Sequence, residues 1–161
     1  MTETMLAALG GWLLAGFLAF TSFLERRTQQ RHGVLLKALE YLTGGSQNRS
    51  VGIALIEGLW VKRFPYAESL VPALTNQAVY LLLETESRDG RHQFHNWLRI
   101  MKLLLRVPYK EQYFEYYTEV SNALFVRIED PSHPRGIDMA KDTAEIWFKK
   151  INDRALTDSA A

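Results

Sequence analysis

The sequence predicts an all-α protein, in which an N-terminal transmembrane helix is followed by about six helices. Three observations support this prediction. The stretch 5–24 carries no charge, apolar residues after it recur with helical spacing, and glycines and prolines divide the remainder into segments of helical length. No segment alternates with the two-residue period of a β-strand over a useful length.

The uncharged run is long enough to cross a bilayer, because a helix rises about 1.5 Å per residue and the hydrocarbon core is roughly 30 Å thick. A cleaved signal peptide would begin with basic residues and end at a small-x-small site, whereas Glu3 precedes this run. We therefore expect residues 1–25 to form a transmembrane anchor; the alternatives are a signal peptide and a buried soluble helix.

Basic residues follow the anchor and none precedes it. By the positive-inside rule, this asymmetry places the N-terminus outside and the C-terminal domain in the cytoplasm. The segment 26–32 is expected to meet anionic lipid headgroups at the membrane surface. The basic residues concerned are Arg26, Arg27, Arg31 and Lys37. The chain has no cysteine, which excludes a disulfide scaffold and is compatible with a reducing compartment.

Small residues recur every four positions within the anchor, at Ala7, Gly11, Ala15 and Ala19. Such a stripe lets two helix backbones approach closely. It favours a homo-oligomer that forms through the transmembrane helix, or docking on a partner's helix. The alternative is that alanine and glycine are simply common in membrane helices.

The first three helices after the anchor are predicted at 31–42, 47–61 and 69–86. Gly44 and Gly45 end the first helix, because glycine tolerates the left-handed conformation at a helix C-terminus. Ser46 is expected to cap the second helix with its hydroxyl. Pro72 is tolerated because we expect it in the first turn of the third helix.

The last three helices are predicted at 91–106, 110–128 and 138–154. The turn 87–90, the break at Pro108 and the proline-containing loop 129–136 separate these helices. The helical domain is expected to cover 33–155, and a flexible tail 156–161 follows it.

The six helices form three antiparallel pairs that start near residues 33, 67 and 110, a spacing typical of an α-solenoid. The second helix has an arginine, then small residues, a leucine and a glycine. The matching positions are Arg49, Gly52, Ala54, Leu55 and Gly58. In this pattern the segment resembles the inner helix of a HEAT or armadillo repeat, over about one repeat. The resemblance implies a solenoid; an irregular helical bundle is the alternative.

The fifth predicted helix is rich in tyrosine and glutamate, and its aromatic residues exceed what one core face needs. Tyrosine is enriched at protein interfaces, whereas aromatics that stack on nucleic acid need a basic groove. The helical series Tyr113, Tyr117, Val120 and Leu124 is expected to face the core. A protein interface is predicted at Tyr109, Glu115, Tyr116 and Glu119. The alternative is a core edge beside a solvated face.

Two other segments are candidate sites. The turn 44–49 leads into a helix N-terminus and could hold a phosphate or carboxylate, but it lacks the P-loop lysine, and an ordinary turn between helices is preferred. His92 and His95 could ligate a metal together with Asp89, but the zincin spacing and a fourth ligand are missing. We therefore predict no metal and no cofactor.

No nucleophile elbow, catalytic carboxylate motif or cofactor fingerprint occurs, which favours a protein that is not an enzyme. The basic residues lie nearest the membrane and the distal part is mildly acidic, so no nucleic-acid partner is expected. Together the features predict a single-pass, membrane-anchored cytoplasmic helical module that binds a protein partner as an adaptor, scaffold or sensor. The alternative is a membrane-acting effector that oligomerises through its transmembrane helix.

Overall fold

A computed structural model describes residues 25–26, 29–60, 67–86, 90–107 and 111–157. Within them the fold is all-α, with six helices and no strand, as predicted. The first helix, α1, covers 29–42. The others are α2 (Ser46–Leu59), α3 (Ala67–Leu83), α4 (Gly90–Leu104), α5 (Phe114–Glu129) and α6 (Lys141–Thr157). A short 3-10 helix, Glu111–Tyr113, precedes α5.

The chain forms two compact units, Met1–Lys37 and Ala38–Ala161. In the first unit the described residues, 25–26 and 29–37, are helical. The uncharged run 5–24 and its stripe of small residues lie outside the described residues. Among those that are described, no helix is both long enough and apolar enough to cross a bilayer.

Helix α3 is the centre of the second unit, because it packs against both α4 and α5. Helix α2 packs on α4, and α6 packs on α5. A helix with neighbours on more than one side needs apolar residues around most of its circumference. Six apolar side chains of α3 are accordingly removed from solvent: Leu70, Val71, Leu74, Ala78, Leu81 and Leu82.

Helices α5 and α6 run antiparallel. The hydroxyl of Ser121 donates a 3.0 Å hydrogen bond to Oδ1 of Asn152. Further along α5, the ring of Phe125 lies 6.2 Å from the ring of Phe148, centroid to centroid. Residue numbers therefore rise along α5 as they fall along α6, which is the antiparallel arrangement expected for this pair.

The last turn of α1 meets α2 at backbone distance. A Cβ built on Gly52 would lie 2.7 Å from the carbonyl oxygen of Ala38 and 2.9 Å from the amide nitrogen of Leu42. These separations are too short for any side chain at position 52, so glycine allows the two helices to touch here. This contact holds α2 against the last turn of α1, next to the turn that forms one wall of the candidate site.

The bounds of helices α3 and α6 differ from the prediction. Helix α3 begins at Ala67, so Pro72 lies two residues further inside the helix than expected. Because proline has no amide hydrogen, Pro72 cannot donate an i→i−4 hydrogen bond there. Helix α6 begins at Lys141 and continues to Thr157. Leu156 and Thr157, which the sequence places in the tail, are therefore helical, and 158–161 lie outside the described residues.

Candidate functional site

The second unit contains a polar cleft of about 700 Å³. Its walls come from the turn between α1 and α2, from α3 and the residues after it, from α4, and from the loop before α6. The lining residues are Thr43, Gly44, Gly45, Ser46, Arg49, Gln77, Tyr80, Glu84, Thr85, Glu86, Gln93 and Arg135. The cleft thus collects four separate segments of the chain, and the turn 44–49 is one of them.

The N-terminus of α2 opens into this cleft without a side-chain cap. Gly45 is the N-cap residue, with extended backbone, and no side chain accepts a hydrogen bond from the first amides of the helix. The prediction that Ser46 caps α2 is therefore wrong, because Ser46 is itself the first helical residue. Its Oγ is buried and has no hydrogen-bond partner.

Arg49 forms the floor of the cleft and is only 5% exposed. Its Nε donates to the carbonyl oxygen of Leu42 at 3.3 Å and to Oε1 of Gln77 at 3.0 Å. Its Nη1 donates to Oε1 of Gln93 at 2.9 Å, and its Nη2 to the carbonyl oxygen of Gly44 at 3.1 Å. One guanidinium therefore closes the C-terminal end of α1 and joins it to α3 and α4.

The positive charge of Arg49 has no carboxylate partner among the described residues. All four acceptors are neutral oxygens. The guanidinium carbon also lies 5.3 Å from the centroid of the Tyr80 ring. Burial lowers the pKa of Arg49 from its ordinary value, while the neighbouring Tyr80 acts in the opposite direction. A buried cation that faces a cleft and meets only neutral groups is electrostatically suited to an anion.

Arg135 reaches the cleft because the loop that carries it is fixed to α3. The amide of Gly136 donates to the carbonyl oxygen of Thr85 at 2.8 Å. The amide of Ile137 donates to the carbonyl oxygen of Leu81 at 2.9 Å. Buried Arg127 holds the loop from the other side through three carbonyl oxygens. The loop therefore presents an exposed arginine on the rim from a fixed backbone.

Acidic residues face these cations. Glu84 and Glu86 line the cleft and are exposed. Gln77, Tyr80 and Glu84 also line a second hollow of about 370 Å³, whose other wall includes Glu119 of α5. The cleft thus continues towards α5 and becomes more acidic along the way.

The predicted interface on α5 is only partly brought together at this end of the cleft. Glu115 and Glu119 are exposed and Tyr116 is half-buried, while Tyr109 lies outside the described residues. Glu119 borders the second hollow. The predicted interface leaves out Phe114, another aromatic residue of this helix, which is 54% exposed and borders a small hollow against α6.

The other candidate residues are not among the residues that line the cleft. Arg26 and Lys37 are exposed and Arg31 is half-buried, while Arg27 lies outside the described residues. His92 and His95 are exposed. No group of metal-ligating side chains that could hold an ion occurs in the part of the chain that the structure describes.

Sequence reasoning missed Gln77, Gln93 and Arg135 as residues of this site. Each lies on a different segment, and none belongs to a recognisable motif. The one available signal was Gly45 beside Arg49, which suggested an anion site, although an ordinary turn was preferred.

Comparison with known proteins adds no relative. No family model matches the chain, and no curated protein or solved structure matches it either. The resemblance of the Arg49–Leu59 segment to a HEAT or armadillo repeat therefore stays a prediction.

Proposed function

We propose that this chain is a membrane-anchored helical module that binds a protein partner through the polar cleft at the N-terminus of α2. The anchor is inferred from the uncharged run 5–24, and the cytoplasmic orientation from the basic residues after it. For the helical domain we infer consecutive antiparallel pairs, which the packing of α5 on α6 supports.

The observation that carries the binding proposal is the buried Arg49 on the floor of the cleft. Domains remove charged side chains from water only where other groups replace the lost hydration. Here the replacement is by neutral oxygens alone, and the guanidinium still borders open space. A partner that places a negatively charged group beside Arg49 would form the ion pair that this guanidinium lacks among the described residues.

The charge pattern of the cleft suits a polypeptide rather than a lone ion. Arg49 and Arg135 lie among the same lining residues as Glu84 and Glu86, and Glu119 extends the acidic side. A segment with an acidic and a basic residue can satisfy both ends, which gives orientation as well as affinity.

Site-specific photocrosslinking in cells tests this proposal. A photoreactive residue at Glu86, on the rim, should give a discrete crosslinked band of defined mass. The same residue at Lys149, which is exposed on α6 and outside the cleft lining, is the matched control. Equal crosslinking from both positions would contradict a partner that binds in the cleft.

The anchor is tested separately. The full chain should resist extraction by alkaline carbonate, and a label on Thr2 should react from outside the cell. Full extraction by carbonate would contradict the anchor without affecting the cleft.

A further inference from the structure

We propose that the cleft recognises an oxyanion, a carboxylate or phosphate group on the partner, which binds between the N-terminal amides of α2 and the guanidinium of Arg49. This inference rests on the proposed function, since it names the chemistry that the partner must present.

The first support is the open N-terminus of α2. The leading amides of a helix have no intrahelical acceptor, and the helix dipole makes that end positive. Here neither Gly45 nor another side chain caps them. A Cβ built on Gly45 would meet no atom within 4 Å, so open space lies beside the N-cap residue. An oxyanion can therefore reach the leading amides from the cleft.

The second support comes from two polar groups that the fold holds away from water. Arg49 is 5% exposed and has no carboxylate partner among the described residues. Ser46 is among the residues that line the same cleft, and its hydroxyl is shielded from water and lacks any hydrogen-bond partner. Burying an unpartnered hydroxyl is costly, and a bound oxyanion would accept its proton.

The guanidinium and the amides lie next to each other along the chain. Nη2 of Arg49 donates to the carbonyl oxygen of Gly44, the residue that precedes the N-cap. The amide of Arg49 itself donates to the carbonyl oxygen of Gly45 at 2.9 Å. One oxyanion at the N-cap position would thus meet amide donors on one side and an immobilised cation on the other.

The acidic rim limits what the oxyanion can be attached to. Glu84 and Glu86 oppose a free dianion, so the group is expected on a polypeptide that also presents a cation. Arg135 is placed to contribute a second, more exposed positive charge.

The decisive variant is Gly45→Asp, because it supplies the oxyanion from within the chain. Aspartate is a preferred N-cap residue, and its carboxylate would accept from the amides of Gln47 or Asn48. The space beside Gly45 admits the side chain. The variant should melt at the same temperature as the native chain or higher, and yet lose the site. Loss of binding then cannot be attributed to unfolding.

The experiment follows the amide resonances of the full chain, kept in solution by a mild detergent, during titration with inorganic phosphate and, separately, with acetate. Sodium chloride at equal ionic strength is the reference. We expect shifts centred on residues 45–48, and about a tenfold loss of apparent affinity in Gly45→Asp. A response to phosphate alone indicates a phosphorylated residue as the source, and a response to acetate indicates a carboxylate.

Charge variants supply the controls. Arg135→Ala should weaken binding by about fivefold, the effect of roughly 1 kcal/mol, and Glu86→Gln should strengthen it. Arg106→Ala removes an exposed arginine outside the cleft lining and should change nothing.

If neither anion shifts residues 45–48 beyond the chloride reference, or if Gly45→Asp binds the anion with unchanged affinity, the oxyanion site is overturned. Crosslinking from Glu86 that continues in that case would leave the protein-binding proposal standing. Anion binding without any crosslink would support the oxyanion site and contradict a protein partner in the cleft.

Discussion

The guanidinium Nη1 of Arg49 and the side-chain Oε1 of Gln93 lie 2.9 Å apart in a buried hydrogen bond that joins α2 to α4. The Nε of the same side chain donates to the carbonyl oxygen of Leu42 in α1 and to Oε1 of Gln77 in α3. Arg49 therefore has two roles: it holds four segments together, and it provides the floor of the cleft. A test of either role must control for the other.

Arg49→Lys should lower the free energy of unfolding by about 2–3 kcal/mol, measured by urea denaturation. A lysine ammonium cannot match the fork of a guanidinium, so buried acceptors that Arg49 now satisfies would lose their donors. Arg91→Lys, on an exposed part of α4, is the matched control and should stay within about 0.5 kcal/mol. Equal small effects would show that the buried hydrogen bonds contribute little.

Gly136→Ala should lower the free energy of unfolding by more than about 2 kcal/mol, measured by urea denaturation. Gly136 has φ +90°, and a Cβ there would lie 1.9 Å from the carbonyl oxygen of Leu82. The loop would have to detach from α3 to accommodate it. Gly58→Ala is the control, because a Cβ at that helical position has no atom within 4 Å; it should stabilise by about 0.5–1 kcal/mol. If Gly136→Ala left the free energy of unfolding unchanged, the loop would be able to shift and make room for the added Cβ.

The acid sensitivity of the domain should depend in part on Glu57. Arg99 donates to both carboxylate oxygens of Glu57, with the shorter N–O distance 2.6 Å, and this hydrogen bonding lowers the pKa of Glu57 below 4.5. A carboxyl group whose pKa is lower in the folded than in the unfolded protein adds stability at pH values above its unfolded pKa. That stability disappears as the pH falls through its folded pKa. Native protein should therefore lose stability below about pH 4.5 more steeply than Glu57→Gln. Parallel stability curves for the two proteins would exclude this contribution.

On α5, Tyr116→Ala and Val120→Asp should have opposite effects. Tyr116 is half-buried, and if it belongs to the partner interface its loss should weaken partner binding by roughly 1–3 kcal/mol. Val120 is fully buried, so Val120→Asp should cost more than about 3 kcal/mol of stability. Thermal melts and a binding assay on both variants separate the effects. If Tyr116→Ala melts as low as Val120→Asp, then Tyr116 belongs to the core.

Features that depend on local periodicity could be predicted from the sequence. The buried series Tyr113, Tyr117, Val120 and Leu124 is confirmed, because one face of a helix is determined by spacing alone. The six helices and the absence of strands in the described residues follow from the same kind of pattern.

Features that depend on long-range contacts could not be predicted. Arg49 meets Gln77 and Gln93, which lie on two other helices, and no local pattern links the three. The capping rule favoured Ser46 over Gly45 because serine has a side-chain oxygen, yet Gly45 is the N-cap residue in the structure. Helix ends are where tertiary contacts most readily override local preference.

The hydrogen bonds from Gly136 and Ile137 to the end of α3 have a consequence for biosynthesis. They satisfy carbonyl oxygens that would otherwise remain open at a helix C-terminus. Their donors leave the ribosome only after α4 and α5 have been made. The central helix of the domain therefore stays incomplete in the nascent chain until nearly the last segment emerges, and a chain stalled before Gly136 would expose the unfinished end of α3 to chaperones and proteases.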